Sequence, residues 1–346
     1  METGATEDGT VDMDIWVGVD IGGTKTAVVV SRKPPEVISR IEFASRPEKG
    51  PQQAIDQILA GLHRMLAQLK VGPERLRGIG VSCGGPLDPH TGVIQAPPNL
   101  PTWIDIPIVD ILTREFGCPV LLENDANAGA LAEHRYGAGQ GTRNMVFLTM
   151  GTGLGAGIII DKKLYSGSSD MAGEIGHVRL TRTGPVGYHK AGSVEGWASG
   201  GGMAQIARVM LNSARKRGRK SLLLDLPEGH TITAKDVGLA AGEGDAVARS
   251  IVTATGQKLG LALAILVDIL NPDRIVIGGM AMRLGDMVLE PARRVLRKEA
   301  LARAFAVCTV VPATLDESIG DVAALCIAMD AGAQQKAETA RGKDRA

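Results

Sequence analysis

Two stretches far apart in the chain repeat one pattern. Val17-Gly-Val-Asp-Ile-Gly-Gly-Thr24 and Val146-Phe-Leu-Thr-Met-Gly-Thr-Gly153 each run from an apolar segment into a glycine turn of phosphate size, and a second apolar segment follows. The flanking segments, Ile15–Val19 with Thr26–Ser31 and Val146–Met150 with Ala156–Asp161, are rich in β-branched residues and read as strand–turn–strand hairpins. A strand-first unit that occurs twice predicts an α/β fold of two similar lobes with a cleft between them. At 346 residues the chain is too long for one compact core, which agrees with two lobes.

Between and after the hairpins, hydrophobic spacing places the other elements. Val37–Ala44 reads as a third strand. Gln52–Leu69 carries Ile55, Ile58, Leu59, Leu62, Met65, Leu66 and Leu69 on one helical face. Strands are predicted at Gly78–Ser82, Val120–Leu122, Arg274–Ile277 and Val307–Val311, and helices at Pro107–Phe116, Ala126–Arg135, Ser193–Arg215 and Asp245–Leu270, from Leu284, and from Ile319. The glycine-rich stretch Gly137–Asn144 is the expected crossover. The predicted division is a disordered acidic tail over 1–14, an N-terminal lobe over 15–136 joined by a C-terminal helix at about 318–334, a C-terminal lobe over 137–317, and a second disordered tail over 335–346.

Charge excludes some partners. Thirty-eight basic residues balance thirty-eight acidic ones, so no overall field draws the chain to nucleic acid or anionic lipid. The basic run Arg215–Lys220 follows an apolar helical stretch and reads as a solvated helix end and loop. Cys83, Cys118, Cys308 and Cys326 are scattered, which suits a reducing compartment and argues against a disulfide framework. The first residues lack the basic-then-apolar pattern of a secretory signal, and the apolar run Leu259–Leu270 is too short to cross a bilayer. A cytoplasmic location is expected.

In the first turn, Asp20-Ile-Gly-Gly-Thr-Lys25, Gly22 and Gly23 let backbone N–H groups approach an anion, Thr24 adds a hydroxyl and Lys25 a charge. Asp20 at the strand end can hold magnesium through water. An ordinary hairpin with a convenient Gly-Gly turn accounts for the same residues. In the second turn, Thr149, Gly151, Thr152 and Gly153 open a glycine run in which Gly151, Gly153 and Ala156 satisfy the G-x-G-x-x-A dinucleotide fingerprint, with Glu174 near the usual acidic position. That fingerprint needs a helix next, whereas Ile158-Ile-Ile-Asp161 reads as a strand, so a second β-turn-β phosphate clamp fits better. Glu123-Asn-Asp125 ends a strand and opens a helix. Asp125 suits an N-cap, and it equally suits a base that accepts a hydroxyl proton, with Asn124 beside it for a neighbouring hydroxyl. Glu174 and His177 read as a satisfied polar pair as readily as a site, and Glu195 stands at a helix start where a carboxylate meets the positive dipole end.

Taken in order, Asp20-Ile-Gly-Gly-Thr-Lys25, Glu123-Asn-Asp125, Gly151-Thr-Gly-Leu-Gly-Ala-Gly157, Glu174-Ile-Gly-His177 and the Glu195 segment strongly resemble the ROK family of sugar kinases and sugar-responsive repressors, over about residues 15–332. The resemblance implies a two-lobed actin/hexokinase-like (ribonuclease H-like) fold, ATP with Mg2+ as phosphate donor, and Asp125 as catalytic base. It further implies a sugar shell of Gly85, Asn99, Asn124, Asp125, Glu174, His177 and Glu195. Asn99 lies in Pro97-Pro-Asn-Leu-Pro-Thr-Trp103, which is similar to the family's sugar loop. The implied nucleotide shell is Gly22, Gly23, Thr24 and Lys25 with Thr149, Gly151, Thr152 and Gly153, and Gly278-Gly279 near the adenosine.

One departure stands out. Many family members bind zinc through the histidine of the Glu-Ile-Gly-His motif and three cysteines, and the cysteine positions here hold Val186, Tyr188 and Ser193. Valine offers no donor and the other two are not usual ligands, so no zinc is expected. His177 is then free to act as a sugar ligand, and packing around Tyr188 and Trp197 is expected to stiffen the loop.

Three functions compete on these readings. A hexose kinase for glucose, or alternatively for N-acetylglucosamine or N-acetylmannosamine, uses every motif. A sugar-responsive repressor needs a helix-turn-helix, for which the acidic residues before Ile15 leave no room. An actin-like structural protein leaves Glu174, His177 and Glu195 without purpose. The expected partners are therefore a small-molecule sugar and ATP, with no nucleic acid and no membrane, in a homodimer or a dimer of dimers.

Overall fold

A computed structural model of the chain describes residues 14–343. The first hairpin is β1 (Ile15–Ile21) with β2 (Lys25–Ser31), and β3 (Ser39–Ala44) continues it antiparallel. α1 (Pro51–Leu69) begins at a proline, whose missing N–H costs nothing in a first turn, and buries Ile55, Ile58, Leu62, Met65 and Leu66. β4 (Leu76–Cys83) lies parallel to β1 and is buried almost throughout, as a strand covered on both faces must be. A small hairpin, β5 (Leu87–Asp88) with β6 (Val93–Ile94), precedes α2 (Ile108–Phe116). β7 (Val120–Asn124) then runs parallel to β4, and α3 (Asp125–Tyr136) starts at the very next residue.

The pattern then restarts. β8 (Met145–Met150) pairs antiparallel with β9 (Leu154–Ile160), which β10 (Lys163–Leu164) extends. A two-residue hairpin, β11 (Val186–Gly187) with β12 (Lys190–Ala191), leads to α4 (Val194–Ala198), α5 (Gly200–Lys216), α6 (Ala234–Gly242) and α7 (Ala246–Leu270). β13 (Arg274–Gly279) lies parallel to β8. It is followed by α8 (Met280–Leu284), α9 (Asp286–Glu299), α10 (Ala302–Val307), and β14 (Thr309–Pro312) parallel to β13. α11 (Ile319–Lys343) closes the chain.

The two five-stranded sheets have the orders β3-β2-β1-β4-β7 and β10-β9-β8-β13-β14. In both, the hairpin that carries the glycine turn is antiparallel and the other strands join parallel, so the sequence repeat is also a repeat of topology. The fold is α/β, of the two-lobed actin/hexokinase-like class. Contacts divide the chain into one compact unit up to Ala128 that includes Ser318 onward, and another over Gly129–Glu317. Each has its own core: Val17, Val19, Ile58, Leu62, Ile79 and Trp103 in the first, and Val146, Leu148, Leu259, Leu263, Ile275 and Leu289 in the second.

α11 sits hard against the first sheet because glycines in β4 leave room for its backbone. A Cβ at Gly80 would fall 2.1 Å from the Ala324 carbonyl oxygen, and one at Gly78 2.3 Å from that of Ala328. The sheet therefore fixes where the N-terminus of α11 lies. In the second unit, the fully buried Glu133 of α3 accepts hydrogen bonds from the backbone N–H groups of Ala138, Thr314 and Leu315, at 2.7, 3.1 and 3.0 Å. That tie joins α3 to the loop after β14.

Several expectations need correction. The long helix predicted at Ser193–Arg215 is two, because Ser199 is extended and its hydroxyl caps α5 by accepting from the Gly202 N–H at 3.0 Å. The helix predicted from Leu284 is interrupted at Gly285, whose φ of 52° ends α8 before α9 begins. Val307 ends a helix instead of starting a strand. The segment 335–346, expected as disordered, is helical as far as Lys343. Contacts put the changeover between units inside α3, ahead of the predicted Gly137–Asn144. The tail expected over 1–14 lies outside the described residues except for Asp14, which pairs with Arg77 and Arg75. Among the described residues, α7 is the one helix long and apolar enough to cross a membrane. Most of its apolar stretch is buried, and it is the central helix of the second core.

Candidate active site

The candidate residues fall into one set on each unit. In the first unit, the turn between β1 and β2 is closed by the Gly22 N–H donating to the Lys25 carbonyl at 3.0 Å. Gly23 lies against the sugar-loop residue: a Cβ there would stand 2.7 Å from Asn99 Cβ and 2.8 Å from its carbonyl oxygen. A Cβ at Gly84 would lie 3.5 Å from Asn99 Oδ1 and 3.9 Å from Asp125 Oδ2, and one at Gly85 3.3 Å from Asn124 Nδ2. Gly22–Lys25, Asn99, Gly84–Gly85, Asn124 and Asp125 are thus gathered around one place. Gly84 was missed from sequence, where it is simply the glycine before Gly85.

Asn124 takes the capping role that the sequence offered to Asp125. Its Oδ1 accepts from the Ala126 N–H at 2.9 Å, and Asp125 falls inside the first turn of α3. No cation among the described residues forms an ion pair with Asp125. The residue is exposed at the surface, with protein packed closely around its carboxyl. Lost hydration pushes its carboxyl above the ordinary range, while the N–H groups of Ala126 and of Asp125 itself pull it back.

Asp20, partly buried at the end of β1, has its carboxyl pushed up to about 6, first by burial and then by the charge of Asp125, with Asp321 adding to the rise. The Ser82 hydroxyl and Lys25 oppose it. Asp20 also lies at the first turn of α11, where a Cβ at Gly320 would sit 2.3 Å from its Oδ2. Two mutually repelling carboxylates with little compensating charge suit a divalent cation, and magnesium needs only one or two carboxylates alongside phosphate oxygens and water. Lys25 is 60% exposed and bridges Glu42 at 3.0 Å. Glu42 also takes Arg40 at 2.6 Å, and Arg40 holds Asp321 at 2.8 Å.

In the second unit, the turn between β8 and β9 is closed by the Gly151 N–H donating to the Gly153 carbonyl at 3.0 Å. Its carbonyls face the start of α5: the Gly200 and Gly201 N–H groups donate to Gly151 and Thr152 at 2.8 and 3.1 Å. Gly278 and Gly279 are paired in register with Thr149 and Met150, so the predicted adenosine and phosphate residues adjoin. Glu195 in α4 accepts from the Leu154 N–H at 3.1 Å, which ties a predicted sugar ligand to this turn. Glu174 and His177 are exposed, one just before and the other at the end of a short 3-10 turn, Ile175–His177, whose Gly176 packs on Leu154 and Glu195. The His177 and Tyr188 rings meet edge to face with centroids 5.9 Å apart.

The donor set does not fit zinc. Val186 has no ligating atom, the Ser193 hydroxyl is occupied capping α4 at Gly196 N–H, and no three His, Cys, Asp or Glu side chains cluster as a metal site among the described residues.

Known proteins share this fold and much of this sequence. Residues 16–331 match the ROK family. A glucokinase of Halalkalibacterium halodurans is 36% identical over 293 residues, which cover 84% of this chain and 88% of that protein. A crystal structure of a ROK family glucokinase from Streptomyces griseus, in complex with glucose and AMPPNP, is 32% identical and superposes with a TM-score of 0.75 over 91% of this chain and 99% of that one. A xylose repressor of Caldicellulosiruptor bescii is 29% identical over 85% of this chain and 73% of that protein.

Proposed function

Since the chain belongs to the ROK family, we propose that it is an ATP-dependent sugar kinase, one that moves the γ-phosphate of ATP to the 6-hydroxyl of glucose with Asp125 as general base. The observation that carries this reading is the state of Asp125: a carboxylate at a strand–helix junction, beside Asn99 and Asn124, not consumed by a cation or by capping. A carboxylate locked in an ion pair is a weak base; one short of hydration is a stronger one. As the sugar oxygen bonds to the γ-phosphorus, its proton passes to Asp125, and the bond to the bridging oxygen of ADP breaks. Asn99, Asn124, Glu174, His177 and Glu195 orient the hydroxyls, and the backbone N–H groups of the two glycine turns hold the phosphates. Asp20 would help to hold magnesium, which would screen the phosphate charge.

N-acetylglucosamine or N-acetylmannosamine is the alternative substrate class, because the same hydroxyl-binding residues serve all three sugars. A sugar-responsive regulator is the alternative from another class, and the match to a xylose repressor is what favours it. A coupled ATP-consumption assay across hexoses and N-acetylhexosamines separates these readings. Turnover of glucose supports the proposal, and turnover of an N-acetylhexosamine alone moves the substrate. A thermal shift with sugar but no turnover of any of them replaces the kinase with a sensor.

A further inference from the structure

The loop 181–193 lacks the donors for the family's zinc, yet its backbone is tied by organic groups, one of them at a zinc-cysteine position. Gln205 of α5 grips one residue with both ends of its amide: Nε2 donates to the Val186 carbonyl at 2.8 Å, and Oε1 accepts the Val186 N–H at 2.9 Å, with a longer bond from Nε2 to the Gly201 carbonyl at 3.4 Å. Val186 is one of the positions where a zinc cysteine would stand. Here its other edge pairs with Ala191 across the hairpin, so the side chain of Gln205 acts as an extra strand. Trp197 of α4 holds the loop's other end. Its Nε1 donates to Thr181 Oγ1 at 2.7 Å, Gly184 packs closely against the indole (a Cβ would meet the ring at 2.6 Å), and Lys258 of α7 stands 5.0 Å from the ring centroid. The hairpin turn is Tyr188-His189, both at positive φ, a conformation that favours glycine or asparagine and that these two residues hold under tension. Lys190, just after it, donates from Nζ to the His177 carbonyl at 2.8 Å. Gly187 packs on the Cβ of Glu195.

We propose that Gln205 and Trp197 form a metal-free clamp and are positioning residues for the sugar site, acting on His177 through Lys190 and on Glu195 through Gly187. The sugar-site half of this proposal rests on the kinase reading above; the clamp itself does not. In place of a metal, one amide and one indole fix the strained hairpin, and the hairpin fixes the two side chains.

The test compares wild type with Gln205→Ala and Trp197→Phe, all as the full chain. Hydrogen exchange of the Val186 amide and of the 181–193 segment is followed with and without 1,10-phenanthroline or added zinc. The clamp predicts exchange at least about tenfold faster in Gln205→Ala and no response of the wild type to chelator or zinc. Wild-type exchange in Gln205→Ala, or loosening of the wild type by the chelator, overturns it. Kinetics then test positioning: in both variants the sugar KM rises at least about tenfold while the KM for ATP stays within about twofold. A fall in Tm with both KM values unchanged makes the two residues merely structural and overturns the positioning role. If the wild type turns over no sugar, the kinase reading fails. Positioning is then read from sugar affinity by calorimetry, which Gln205→Ala must weaken by the same factor or the role is refuted.

Discussion

At the end of β1 the glycine turn is preceded by Asp20, and at the end of β8 the equivalent position in the repeat is Thr149. Both turns are closed by a backbone hydrogen bond of 3.0 Å from their first glycine, and both stand in sheets of the same order. They differ in charge and in crowding. The first lies beside a partly buried carboxylate, Asp20, that feels Asp125 and Asp321, and its Gly23 is wedged against Asn99. The second has a hydroxyl at the equivalent position and its carboxylate, Glu195, is occupied by the Leu154 N–H on the Gly153 side, while a Cβ at Gly151 would meet nothing within 4 Å. One backbone device has thus been kept twice, once beside two mutually repelling carboxylates that suit a cation and a proton, and once with an open glycine, Gly151, whose side of the turn suits an anion.

The comparison breaks first at Asp125. Asp125→Asn is expected to lower kcat by about a hundredfold to ten-thousandfold, the usual range for a general base, with sugar affinity held within a few-fold. Retention of more than about a tenth of wild-type kcat would remove proton acceptance from this carboxylate and leave the acidic side of the comparison without a chemical role.

The two glycines give the next largest effect, and they should part company. Gly151→Ala has free space, so Tm should hold while the KM for ATP rises about tenfold through blocked approach of the phosphate. Gly23→Ala has to displace Asn99, so Tm should fall, at a cost of about 1–3 kcal/mol, and the sugar KM should rise as well. An unchanged KM for ATP in Gly151→Ala would mean that the second turn is only a hairpin.

Asp20 sharpens the electrostatic half. Its folded carboxyl titrates at about 6 against an ordinary 3.8. A raised acid binds its proton more tightly when folded, so its stability contribution is full below about pH 4 and is lost as pH rises through 6. In metal-free buffer, Asp20→Asn should therefore melt above wild type at pH 8, by on the order of 1–3 kcal/mol after allowance for partial exposure. The gap should close toward pH 4. A gap that is constant with pH would show that Asp20 is not strained by its neighbours.

The smallest expected effect is at Glu42, which holds Lys25 at the surface. Glu42→Gln should change the KM for ATP by about twofold at low salt and by less at high salt, as exposed pairs do.

Much of the site was legible because its signals are local. The turns at Gly22-Gly23 and Gly151–Gly153, the junction at Asn124-Asp125 and the missing cysteines at Val186, Tyr188 and Ser193 can each be read within a few residues. What was illegible depended on distant parts of the chain. Ser199 splits a helical pattern because its hydroxyl finds an N–H three residues on. The seat of α11 on Gly78 and Gly80, which brings Gly320 to Asp20, joins residues from opposite ends of the chain. Gln205 looks like any polar residue on an amphipathic helix until Val186 is placed beside it.

The sequence by itself determined the repeated strand–turn–strand unit, the residue types available for chemistry and the lack of zinc donors, since these follow from covalent order and local backbone preference. Tertiary structure decided that Asn124 caps and leaves Asp125 uncapped, that Asp20 is forced up to about 6, and that an amide and an indole tie the loop. Hydration, like-charge repulsion and pairing of distant backbone groups arise only when remote segments share space, and no local pattern encodes them.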